Sequence, residues 1–142
     1  MMKPAISAMC VFVLLLAMPL LAHHEFAFDA TYDGNPITIT GKVVRVDLVN
    51  PHVLIQIESV DSAGKVVRWV LEGSGVAHVR QNGFDKSTLK SGDTITACGF
   101  PGKADTVNKH LSAERITVPG GQKLSFMRFD EKFMTSVSSH CQ

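Results

Sequence analysis

The sequence predicts an all-β domain, a small five-stranded barrel with one short helix between the third and fourth strands. Three observations carry this expectation. Runs rich in Val, Ile and Thr alternate apolar and polar residues at the two-residue period of a half-buried strand. A single stretch after the third run changes to helical spacing. The first run switches its apolar parity midway, which is what a β-bulge does when it bends one strand to serve two parts of a sheet.

Residues 23–35 carry Phe26, Phe28 and Tyr32 without a clear period and end in the turn signal Asp33-Gly34-Asn35-Pro36. This segment reads as an arm across the domain surface. In the first strand Ile37 and Ile39 alternate with polar residues, Gly41 continues that parity, and Val44, Val46 and Leu48 take the opposite one. The bend therefore falls between Gly41 and Val44, and Asn50-Pro51 ends the strand. The second run sets Val53, Ile55 and Ile57 on one face, with His52, Leu54, Gln56 and Glu58 on the other. Asp61-Ser62-Ala63-Gly64-Lys65 is a hairpin loop. The third run turns Val67, Trp69 and Leu71 inward, Arg68 and Glu72 outward; Trp69 reads as core, or alternatively as a stacking platform on an open barrel face.

Ser74 then stands as a helix N-cap, Val76 and Val79 are three apart, and Asn82-Gly83 closes the segment, so the helix spans 74–82. Leu89-Lys90-Ser91-Gly92-Asp93 turns into a fourth strand from Thr94 to Phe100. A loop over 101–109 leads to a fifth strand at Leu111 to Val118, and Pro119-Gly120-Gly121 precedes a short extended piece at Lys123 to Phe126. Three hairpin-like strands, a helix and two more strands is the order of an OB-fold; another small barrel or a sandwich is the alternative. Phe126, Phe129 and Phe133 form a helical stripe in the tail, either capping the open end of the barrel or docking a partner. The expected division is a signal peptide over 1–22, the barrel with its arm over 23–122, and a tail over 123–142.

The start of the chain predicts export. Lys3 supplies the positive charge, an apolar stretch runs from Ala5 to Leu21, and Ala22 offers a small cleavage residue before His23-His24-Glu25. Ala17 is the second candidate cleavage site, and an uncleaved anchor is the alternative, since about 17 apolar residues is the lower limit for a span. Of the 14 Lys and Arg only Lys3 precedes Ala22, and all 13 Asp and Glu follow it, so the processed chain is balanced in charge. Balance excludes the cationic surplus that nucleic acid requires and strong attraction to an anionic membrane. A periplasmic or secreted location follows, with no stable membrane association after cleavage. Cys10 leaves with the signal, and Cys98 and Cys141 remain as a candidate disulfide in an oxidising compartment, against two unpaired thiols.

At this point the residues resemble a family. His23-His24 with Phe26, Asn50-Pro51-His52, Gly73-Ser74, and Leu89-Lys90-Ser91-Gly92-Asp93 with Gly99-Phe100 together resemble DUF6152, bacterial exported proteins of unknown function. The resemblance covers the chain from the histidine pair to about Gln122. It implies export and an OB-like barrel and brings no activity or catalytic residues. Glu25, where Ser is common, His78, the Phe-rich tail and Cys141 depart from the pattern.

No nucleophile elbow, P-loop, dinucleotide fingerprint or paired CxxC occurs, and acidic residues are scattered singly. An enzyme is therefore not expected, and no catalytic residue is assigned. The histidines are the suggestive group. Cleavage after Ala22 makes His23 the N-terminus, where amine and imidazole together suit Cu(II). His24 adds a second imidazole, and His52 a third if the arm folds back over the strand-one corner. Cleavage one residue earlier places His24 third, also a chelating position. The plain alternative is a solvated histidine arm with His52 packed in its turn. Two function classes thus stand: an exported small β-barrel that binds copper or another transition metal through His23, His24 and His52, and an envelope interaction module that docks a partner protein without metal.

Overall fold

The computed structural model describes residues 34–103, 108–127 and 141. The expected signal peptide over 1–22, the expected arm with His23 and His24, and Phe129 and Phe133 lie outside the described residues. Strands β1 (Ile37–Asp47), β2 (Leu54–Val60) and β3 (Val66–Glu72) are followed by helix α1 (Val76–Gln81). Then come β4 (Thr94–Pro101), β5 (Lys109–Thr117) and a short β6 (Lys123–Ser125). The sheet order is β3-β2-β1-β4-β5-β6, and a parallel pairing of β3 with β5 closes the first five strands into the expected barrel.

Alternation decides which side chains fill it. Val53, Ile55, Ile57, Trp69, Leu71, Ile95, Ala97, Leu111, Ala113 and Ile116 are buried together inside, so Trp69 is core; its indole N–H donates to Ser59 Oγ at 3.2 Å. The β1 bend is a bulge between Val43 and Arg45, which face the consecutive residues Ile57 and Gln56. Val43 is buried and Val44 is 46% exposed. The sequence placed Val44 on the inward parity with Val46 and Leu48; in fact Val44 is the extra residue, and the inward set resumes only at Val46. Gly41 lets the bent strand cross closely, since a Cβ there would lie 2.7 Å from Glu58 O.

Helix α1 begins later than predicted, because Ser74 is not its cap. Ser74 N–H donates to Phe126 O and Ser74 O accepts from Val53 N–H, so the residue is woven between two neighbouring segments. The free N–H of Val76 instead donates to Asn50 Oδ1 at 3.1 Å, a cap supplied from the β1–β2 corner.

Phe126 corrects the tail expectation. It continues the extended chain after β6, donating its N–H to Glu114 O at 2.7 Å, and packs edge-on against Phe84 with ring centroids 5.2 Å apart. It is fully buried and is therefore core, not the first member of a helical stripe. Cys98 and Cys141 form the expected disulfide, with Cα atoms 5.5 Å apart, and Arg115 donates to the carbonyl of Cys141.

The β4–β5 ladder carries a second bulge. Cys98 pairs with Arg115 and Gly99 with Ala113, leaving Glu114 as the extra residue. Glu114 is 2% exposed, and neither carboxylate oxygen has a hydrogen-bond partner among the described residues. Burial pushes its carboxyl above the usual range, and the Arg115 charge opposes that rise.

Candidate functional site

The β1–β2 corner and α1 enclose a groove of about 850 Å³, lined by Asn50, His52, Ser74, His78, Gln81 and Met127 among others. Its position follows from the β2–β3 hairpin. Asp61 Oδ1 accepts from the N–H groups of Ala63 and Lys65, both at 2.9 Å, which fixes the turn and through it the register Leu54↔Glu72. Continuing that register past the ladder brings His52 opposite Ser74. Backbone bonds from Val53 N–H to Ser74 O at 3.1 Å and from Gly73 N–H to Val53 O at 2.9 Å hold the two segments together.

His52 is half-buried on the outer face, as its parity predicted. Its Nδ1 lies 3.1 Å from Gly73 O and 3.1 Å from Glu72 Oε1. Both neighbours are acceptors, so Nδ1 carries the proton shared between them. The nitrogen that a metal would take is then Nε2. A carbonyl or carboxylate on the far ring nitrogen is the support that metal-ligating histidines use, because it fixes tautomer and ring orientation.

His78 is held differently. Its Nε2 accepts from Asn82 Nδ2 at 3.0 Å, while the same amide nitrogen donates to His78 O at 3.1 Å. Its lone pair is thus committed within the helix C-terminus, in keeping with a structural role. Met127 lines the same groove, with Ser74 Oγ–H directed at its sulfur at 3.6 Å. Gly73 must be glycine for these segments to meet, since a Cβ there would lie 2.5 Å from the Phe126 ring and 2.9 Å from its carbonyl.

Of the three predicted metal-binding histidines the structure describes His52 alone; His23 and His24 lie outside the described residues. No group of three or more His, Cys, Asp and Glu among the described residues is arranged to hold a metal ion. Any such site at His52 therefore draws further donors from other residue types or from the N-terminal segment. Sequence reasoning missed Glu72 and Met127. Glu72 was read only as an outward residue, although its parity and the hairpin turn place it beside His52. Met127 carried no signal of its own, lying between the phenylalanines of the tail pattern.

No curated protein matches the chain. Residues 11–110 match the family model described as a family of unknown function, DUF6152, a span that includes His23, His24 and His52 and ends before Met127 and Cys141. Matched over more than half its length, and with the barrel, the corner and the helix in the expected order, the chain belongs to the DUF6152 family.

Proposed function

We propose that this protein is an exported, periplasmic or secreted bacterial barrel that binds copper or a similar late transition metal through His23, His24 and His52. The observation that carries the reading is the second-layer support of His52: Nδ1–H held between Gly73 O and the Glu72 carboxylate, with the ring lining an open groove. Cleavage after Ala22 adds an amine and two imidazoles of the kind Cu(II) prefers.

Copper titration of the processed protein tests it. The mature form binds Cu(II); adding one residue before His23, or replacing His23 by Ala, weakens binding strongly. His52→Ala has a smaller effect, because His52 completes the shell without creating the chelate, and Glu72→Gln weakens binding no more than His52→Ala does. Metal must displace protons from an amine of reference pKa about 7.7–8.0 and imidazoles of about 6.5, so affinity falls steeply below roughly pH 6. Equal binding by all forms, or none by the mature one, refutes the metal site and favours an envelope module that docks a partner protein.

A further inference from the structure

We infer that Met127 supplies a thioether to the metal held by His52, so that the groove accepts Cu(I) as well as Cu(II); this rests on the proposed copper reading and names the oxidation state it extends to. The two side chains are anchored on consecutive residues of one loop. His52 Nδ1 bonds Gly73 O at 3.1 Å, and Met127 Sδ receives the Ser74 hydroxyl at 3.6 Å. Both line the same groove. Their anchors therefore bring one imidazole and one thioether to one wall of it.

The donor chemistry decides the metal. A thioether is soft and favours Cu(I), whereas an amine and imidazoles of the N-terminus suit Cu(II). The Ser74 hydroxyl is a weak partner for sulfur, so exchanging that contact for a metal gives up little. His78 is excluded as the third donor, because Asn82 occupies its Nε2 lone pair. Among the described residues no acidic side chain lines the groove, which further disfavours a hard cation there. Met127 lies beyond the matched family span.

The methionine count makes the test clean. Of the six methionines, Met1, Met2, Met9 and Met18 precede Ala22, which leaves Met127 and Met134 in the processed protein. Cu(I), maintained anaerobically with ascorbate, is added to mature protein carrying 13C-methyl methionine. The Met127 methyl signal shifts and the Met134 signal stays. In competition with a Cu(I) chelator, Met127→Leu lowers Cu(I) affinity by about tenfold or more, and leaves Cu(II) affinity within about twofold. His110→Ala, which removes an exposed histidine on β5, changes neither. An unmoved Met127 methyl, or a Met127→Leu variant that keeps full Cu(I) affinity, overturns the inference while Cu(II) binding through His23, His24 and His52 stands. Loss of Cu(II) binding in the mature protein itself overturns the underlying copper reading instead.

Discussion

Removing the Cys98–Cys141 bridge should destabilise the protein by about 4 kcal/mol. The bridge joins residues separated by 43 positions, and the chain-entropy relation for a loop of that size gives about 13 cal/mol/K, or about 4 kcal/mol at 25 °C. It spans the sequence from β4 to the end of the chain, so in the unfolded protein it restrains β5, β6 and the whole tail. In the folded protein it sits where Cys98 and Cys141 are 8% and 2% exposed, and Arg115 donates to the Cys141 carbonyl. Urea unfolding of the oxidised protein and of a Cys98→Ala/Cys141→Ala variant measures the difference. The variant should show a lower midpoint and a steeper denaturant dependence, because its unfolded chain exposes more surface. At about 4 °C per kcal/mol for a domain of this size, the melting temperature should fall by roughly 15 °C. Equal stability of the two proteins, or labelling of Cys98 and Cys141 as free thiols in protein purified without reductant, would refute the reasoning.

Gly99→Ala should cost about 2–3 kcal/mol or prevent folding, read by the same denaturation, because the added methyl would collide with the backbone carbonyl of Ser112 and lie 2.9 Å from Ala113 Cα. Glu114 predicts a pH dependence: burial raises its folded carboxyl above the ordinary glutamate value, so the folded state holds its proton longer than the unfolded state does. Its contribution is therefore most favourable below about pH 4.5 and is lost as pH rises from there through the folded value; Glu114→Gln should flatten that decline in a stability-against-pH series, and an unchanged slope would refute the assignment.

The strands were legible because alternation is a local signal, and every predicted strand overlaps an observed one. What escaped was set by partners distant in sequence. Both Val43 and Val44 are apolar, so the bulge position is decided by how β1 meets Ile57 and Gln56 across the sheet, not by the valines. Ser74 had the right chemistry for a cap, but Phe126 and Val53 claim its backbone, and Asn50 supplies the cap from 26 positions away. The spacing of Phe126, Phe129 and Phe133 fits a helix, yet the cavity left by glycine at position 73 gives Phe126 a buried seat in extended chain. Glu114 carried no sequence signal of burial, which comes from the β4–β5 bulge that no period reveals.

The candidate site divides along the same line. The outward parity of His52 was visible in the alternation of β2, and Glu72 was visible as an outward residue of β3. Their meeting depends on hairpin register alone: once Asp61 fixes the turn, Leu54 faces Glu72 and His52 reaches the next carbonyl along. A histidine and the carboxylate beside it can therefore be read from sequence when one tight turn connects their strands, because two-residue periodicity and register leave a single arrangement. Met127 has no such route. It reaches the groove only after the chain has passed through β4, β5 and β6, so its place depends on barrel closure between β3 and β5. An N-terminal histidine pair would depend on a still different event, the proposed signal cleavage, which no strand register constrains. A shared copper site would thus join three features specified independently: a processing site, a hairpin register and a barrel closure. Separate substitutions at His23, His52 and Met127 therefore report on separate steps, and coupling between their effects on metal affinity would be the sign that one ion holds them together.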